Sequence, residues 1–299
     1  MKGKALFIIN PISGGKKKDG VPELIDKHLD KQVLKPAIVF SDSVAHARQL
    51  AKEAAGKFDV VVAVGGDGTV NEVASALVHT DTPLGIVPFG SGNGLSRFLK
   101  IPMDAEKALK TLTSGRVESI DSAMMCGKPF FNMAGMGFDA HIAEVFSHNK
   151  KRGFLIYIKS SFEEFSRYKP QMYRMLIDGK TFDREAFMLS FANSSQYGNN
   201  AHISPHASVQ DGLLDVCVIK KFPVWRLPEM GFRMLMGISD KTKFDWSFDF
   251  RIHKTRSRLL TLTFGFPKSS LMDQLPRCFV EVVTHEVDEL AGGGHRSVM

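Results

Sequence analysis

The chain is poor in cysteine: Cys126, Cys217 and Cys278 are the only three in 299 residues. They lie far apart and in neither metal nor redox spacing, which predicts reduced core residues in a cytosolic protein. No apolar run approaches the length needed to span a bilayer, and the N-terminal MKGKALFIIN reads as a strand, not a signal peptide. Low-complexity tracts and internal repeats are absent. So are zinc-finger spacing and the aromatic pattern of RNA-recognition modules, and no nucleic-acid partner is expected.

What remains is the composition of a folded soluble protein, 43% hydrophobic and 24% charged. The length allows one large or two ordinary domains. The formal net charge of +7 suits nucleotide phosphates, an acidic membrane surface or nucleic acid. Charge alone does not separate these, and ordinary solubility accounts for it as well.

The first 120 or so residues alternate strand and helix. KALFIIN, KPAIVF, Val60 to Val64 and PLGIVPF read as strands; Val21 to Leu29, His46 to Ala55, a segment from Val70, and Ala105 to Leu112 read as helices. This rhythm predicts a doubly wound, mostly parallel sheet in an N-terminal α/β domain, residues 1–121. After Val117 the texture changes to short strands between Gly, Asn and Pro turns, among them QMYRMLID, EAFMLSFAN, LLDVCVIK and SRLLTLTF. A β-rich second domain, residues 122–299, is expected. Helices are expected there at Gly153 to Phe165 and Trp225 to Ile238.

Three glycine-rich turns follow three of the N-terminal strands. The residues Gly65-Gly66-Asp67-Gly68-Thr69 read as a strand-to-helix turn, at the edge where α/β proteins bind ligands. They form neither a P-loop nor a dinucleotide fingerprint, since Asn71 stands where the third glycine of the latter belongs. Gly65, Gly66 and Gly68 allow close backbone approach, and a helix N-terminus suits phosphate. Asp67 beside phosphate calls for an intervening Mg²⁺. Thr69 can cap the helix or donate to a phosphate oxygen. The first turn, NPISGGKKK, offers Asn10, Ser13 and Gly14, with Lys16 to Lys18 read either as phosphate ligands or as a solvated run. The third, PFGSGNGLSR, offers Gly90, Ser91, Gly92 and Asn93. Three such turns at one edge predict a nucleotide-phosphate site.

In order and spacing, these motifs closely resemble the diacylglycerol kinase catalytic-domain family, which includes sphingosine kinases and bacterial lipid kinases. The family's Asn-Pro-x-Ser-Gly, Gly-Gly-Asp-Gly-Thr and Pro-x-Gly-(Ser/Thr)-x-Asn are Asn10 to Gly14, Gly65 to Thr69 and Pro88 to Asn93 here. FNMAGMGFDA and SPHASVQDGLLDV resemble segments of its second domain. The resemblance covers roughly residues 4 to 265. It implies ATP and Mg²⁺ as cofactors and a β-sandwich-like lipid-binding domain after the α/β one. It also implies a lipid acceptor reached at the membrane surface by a cytoplasmic, transiently membrane-associated enzyme. A homodimer is also allowed. By position it assigns the nucleotide to Gly66 through Glu72 (Val70, Asn71 and Glu72 included), Ser91, and Ser41 after KPAIVF. A second, structural Mg²⁺ falls to Asp211 with backbone oxygens of Ser208 and Leu213; the plain alternative for Asp211 is an Asp-Gly turn.

The tail departs from the family. An Asp-Gly-Glu after a late strand normally supplies the base, and the stretch from about Pro267 shows neither that triplet nor the expected strands. A shifted reading frame there would restore an Asp-Gly. Asp273 is the nearest carboxylate for the role. Diacylglycerol is the default acceptor, with a sphingoid base next. The rivals are another GGDGT kinase, such as an NAD kinase, and a nucleotide-binding protein impaired by its tail.

Overall fold

A computed structural model describes residues 2–15, 18–148, 163–240, 250–255, 260–264 and 277–283. They fall into two units, one running through Ile120 and one starting at Asp121.

In the first unit, strands β1 (Gly3–Ile9), β2 (Leu34–Phe40), β3 (Val60–Gly65) and β4 (Leu84–Pro88) form a parallel sheet in the order β2-β1-β3-β4. Apolar residues at successive positions bury both faces of β1, β3 and β4, as a doubly covered parallel sheet requires. Ala5, Phe7, Ile9, Val62, Val64 and Val87 share one core with helices α1 (Val21–His28) and α5 (Ala105–Ser114). Their alternate neighbours Leu6, Ile8, Val61, Ala63 and Ile86 are buried on the other face. Helices α2 (Val44–Ala54) and α3 (Asp67–Leu77) pack together and cover the sheet there. Ser43 caps α2 through His46 N–H, and Asp104 caps α5 through Lys107 N–H. A short helix, α4 (Gly94–Phe98), follows β4.

The second unit holds two antiparallel sheets. One runs β12-β11-β10-β7, from β7 (Met133–Gly137), β10 (Met188–Ala192), β11 (Leu214–Ile219) and β12 (Phe250–Thr255). The other runs β6-β5-β14-β13-β8-β9, from β5 (Ser122–Met125), β6 (Lys128–Phe130), β8 (Gln171–Ile177), β9 (Lys180–Ala186), β13 (Leu260–Phe264) and β14 (Arg277–Val283). Tyr173, Met175 and Ile177 from one sheet meet Leu189, Phe191, Val216 and Val218 from the other in a single core, which makes the pair a sandwich. The far face of the four-stranded sheet is covered by α6 (Phe138–His148), a helical turn at residues 163–167, and α7 (Leu227–Leu235).

The fold class is the one expected from sequence, and four local readings need correction. Helix α3 begins at Asp67, so Asp67, Gly68 and Thr69 are its first turn and not a linker before Val70. An acidic residue at that position is favoured by the helix dipole, which offsets the poor propensity of Asp-Gly-Thr. Helix α6 was not foreseen. In the tail, Arg277–Val283 does form a strand, paired with β13 and β5. Cys126, expected reduced, is disulfide-bonded, while Cys217 is free and buried. Residues 153–162 of the expected helix, Lys16, Lys17 and Asp273 lie outside the described residues.

Candidate active site

Parallel pairing brings the ends of β1, β3 and β4 to one edge, and the three glycine turns that follow them interlock there. Asn10 ties the first turn to the second. Its N–H donates to Val64 O at 3.1 Å, and its side-chain amide donates to the Thr69 hydroxyl at 3.0 Å. Its Oδ1 accepts from Ile12 N–H at 3.1 Å, which folds the turn back on itself. The first turn also meets the third. Gly14 has φ +67°, and a Cβ there would lie 2.1 Å from the Phe89 carbonyl oxygen. The second and third turns touch through Gly66 and Gly90, where a Cβ on Gly90 would come within 2.5 Å of Gly66 Cα. Glycine is required at these contacts because backbone lies against backbone.

Asp67 is the clasp between the last two turns. Its carboxylate accepts from Asn93 N–H at 2.8 Å and from Gly94 N–H at 2.7 Å, capping α4 from the first turn of α3. Asn93 takes the left-handed conformation, φ 52°, and its side chain bonds both the N–H and the carbonyl of Gly90 at 2.9 Å. Crowding by surrounding protein raises the Asp67 carboxyl above its usual range, and amide bonds, Gly94 first and then Asn93, oppose the rise. The residue is nevertheless exposed by surface area. Its two short amide contacts are those of an ionised, charge-assisted acceptor, and solvent contact supports that state.

Of the three lysines with two open readings, Lys18 is the one within the described residues. The side chain is buried, its ammonium donates to Ser13 O, and it sits 5.7 Å from the centre of the Phe89 ring. Burial lowers its pKa. It braces the first turn and is not part of a solvated run. The carbonyl it meets lies five residues back in the same turn, but the Phe89 ring comes from the turn after β4, which no local pattern marks.

The nucleotide candidates therefore divide. The backbones of Ser13, Gly14, Gly66, Gly68, Gly90, Ser91 and Gly92 lie on the interlocked turns. Around Gly68 a Cβ would find no atom within 4 Å, so this point faces open space beside Asp67. The Thr69 hydroxyl is held by Asn10, and the Val70 side chain is buried in the core. Asn71 and Glu72 are half-buried one turn into α3, and Gly65 lies against Thr69. Ser41 is buried at the end of β2, with its N–H and hydroxyl directed to Ile9 O at 2.9 and 3.4 Å.

In the second unit, Asp211 Oδ1 accepts from Leu213 N–H at 3.1 Å, and Ser208 Oγ accepts from Gln210 N–H at 3.2 Å. These are turn contacts of the kind an Asp-Gly loop makes. Asp121, which the sequence did not single out, pins this loop: its N–H reaches Val209 O at 2.6 Å and its carboxylate accepts from Gly212 N–H at 2.8 Å. Asn193 in turn donates to Asp121 O at 2.9 Å and Phe131 O at 2.7 Å. Among the described residues no group of three His, Cys, Asp or Glu side chains is placed to hold a metal. Each candidate Mg²⁺ position therefore offers one carboxylate, Asp67 or Asp211, already accepting from backbone N–H groups. Oxygen donors of this kind fit Mg²⁺, which keeps several of its waters.

Residues 4–125 match the diacylglycerol kinase catalytic domain, and residues 132–237 match the YegS C-terminal NAD kinase beta sandwich-like domain. The chain is 32% identical over 231 residues to a Bacillus subtilis diacylglycerol kinase, covering 73% of this chain and 74% of that one. A Mycobacterium tuberculosis diacylglycerol kinase is 31% identical over 225 residues, 72% of each chain. A crystal structure of a diacylglycerol kinase from Bacillus anthracis superposes with a TM-score of 0.70 at 23% identity, over 94% of each chain, and so shares the fold. The chain belongs to the diacylglycerol kinase catalytic-domain family.

Proposed function

We propose that this protein is an ATP- and Mg²⁺-dependent lipid kinase that phosphorylates a lipid hydroxyl, with diacylglycerol as the first acceptor and a sphingoid base as the second. The observation that carries this reading is the Asp67 clasp. It ties the turn after β4 to the first turn of α3, beside glycine turns whose backbones are bare of side chains. Such bare backbone suits the phosphates of a nucleotide, and the dipole of α3 adds to it. Phosphoryl transfer needs positioning and charge neutralisation more than covalent chemistry, and a preorganised cradle supplies both. Mg²⁺, when bound, would neutralise phosphate charge beside Asp67. The paired second-domain fold and the names of the relatives support a lipid acceptor. A base taking the proton of the lipid hydroxyl adds about 10²- to 10⁴-fold, and Asp273 is the proposed group.

The test is transfer of labelled γ-phosphate from ATP–Mg²⁺ to micellar diacylglycerol, a sphingoid base and NAD in parallel, with Asp67→Ala as control. Transfer to a lipid that vanishes in the control supports the reading. Transfer to NAD alone replaces it with a nucleotide kinase. ATP binding without transfer to any acceptor replaces it with an impaired binding protein, and resequencing the coding region of the tail would then show whether the reading frame from Pro267 is correct.

A further inference from the structure

Helix α7 carries two apolar stripes, and the fold uses one of them. Leu227, Met230 and Met234 pack inward with Phe165, Phe187 and Phe222. The opposite side presents Phe232, Leu235 and Met236, continued by Trp225 in the preceding turn; these four are 60, 57, 60 and 70% exposed. Their positions repeat at helical spacing, so they form a line and not a scatter. They are four of the five most exposed large hydrophobic side chains among the described residues. A contiguous apolar patch of this kind marks an interaction surface.

The rim of the patch indicates the partner. From Trp225 to Met236 the chain carries Arg226 and Arg233 against a single carboxylate, Glu229. Arg226 lies over the Trp225 ring at 5.0 Å, keeping a cation beside the exposed indole. Arg233 sits seven residues on, along the same flank, where it pairs with Glu229 at 2.8 Å. Tryptophan with arginine around an aliphatic and aromatic stripe is the composition of a segment lying in the membrane interface. The excess of cations complements anionic headgroups.

We propose that this outer face of α7 docks onto an anionic lipid bilayer, with Trp225, Phe232, Leu235 and Met236 inserted at headgroup level and Arg226 against lipid phosphate. The proposal rests on the lipid-kinase reading, since an acceptor with long acyl chains resides in a bilayer. Docking by this face brings the enzyme to its substrate.

The experiment uses the full chain and vesicles of phosphatidylcholine with or without phosphatidylglycerol, scored by co-sedimentation. Binding is expected to the anionic vesicles, to weaken as salt is raised, and to fall at least about tenfold in Trp225→Ala/Phe232→Ala/Leu235→Ala. Because all three side chains are exposed, circular dichroism of the variant should match the parent. In a Trp246→Phe background, brominated lipid should quench Trp225 fluorescence. Unchanged vesicle binding by the triple variant, or an unquenched Trp225, overturns the proposal. So does a triple variant that alters only the oligomeric state in sedimentation, which would make the face an interface between copies. Transfer to a short-chain, water-soluble diacylglycerol is measured alongside. Its absence in the parent counts against the kinase reading, whereas its persistence in the variant with vesicle binding lost supports docking.

Discussion

The side-chain amide of Asn10 donates to the Thr69 hydroxyl at 3.0 Å, joining residues 59 positions apart in sequence. It is a side-chain bridge between the turn after β1 and the first turn of α3. Replacing Asn10 with Ala removes the bridge and the Oδ1 acceptor for Ile12 N–H. The expected cost is about 0.5–1.5 kcal/mol per lost hydrogen bond, read by urea denaturation. ATP affinity, read by titration calorimetry, should fall more than stability does, because the first turn loses its anchor while the sheet remains. Thr69→Ser keeps the hydroxyl and should restore most of what Thr69→Val loses.

Two glycines should respond in opposite ways. At Gly14 both the positive φ and the Phe89 carbonyl oppose a side chain. Gly14→Ala should therefore destabilise by about 1–3 kcal/mol, the range for a strained backbone conformation. Gly68 has open space and lies in a helix. Gly68→Ala should leave stability within about 0.5 kcal/mol or raise it slightly, as helix propensity favours alanine. If the open space receives phosphate, its new methyl group should still weaken ATP binding. A Gly68→Ala protein that binds ATP as tightly as the parent would remove Gly68 from the nucleotide site.

Lys18 separates bracing from ligand binding. Lys18→Met keeps most of the buried volume, removes a cation with a depressed pKa, and leaves Ser13 O without its ammonium. Global stability should change by less than about 1 kcal/mol, since exchanging a buried cation for an apolar group relieves desolvation as it loses the bond. The Ser13–Gly14 turn should loosen, seen as faster amide exchange there and weaker ATP binding. Unchanged exchange would show that Ser13 and Gly14 hold their place without it.

Much of this arrangement could be read from the residues in order. Valine-rich strands and helices at 3.6 spacing set out the parallel sheet, and the three glycine turns announced a shared edge because each directly follows a strand. What escaped reading depends on partners distant in sequence. Asp67 reads in isolation as a carboxylate beside phosphate, and only the fold adds the Asn93 and Gly94 amides that it also accepts from. Lys18 sits in a lysine run whose local pattern indicates solvent. The strand at Arg277–Val283 lies in a tail without the Asp-Gly-Glu by which the resemblance would place it, although Phe279 and Val280 are strand-forming residues. Helix α7 was legible as a helix, but the period alone does not tell which of its methionines and aromatics face inward. Met230 and Met234 do; Phe232, Leu235 and Met236 do not.

His202 should make stability depend on pH. Its Nδ1 lies 3.0 Å from Ser195 Oγ, and burial lowers its pKa below the ordinary value of 6.5. The folded protein therefore takes up the proton less readily than the unfolded chain. Stability from this residue is fully present above about pH 6.5 and is lost as pH falls through the lower folded value. Thermal melts between pH 7.5 and 5 should show the midpoint dropping on acidification, with a shallower drop in His202→Gln. The sign follows because protons bind preferentially to the unfolded state in that window. A variant with the same slope as the parent would assign the acid sensitivity to other groups and leave the Ser195–His202 contact without a role in it.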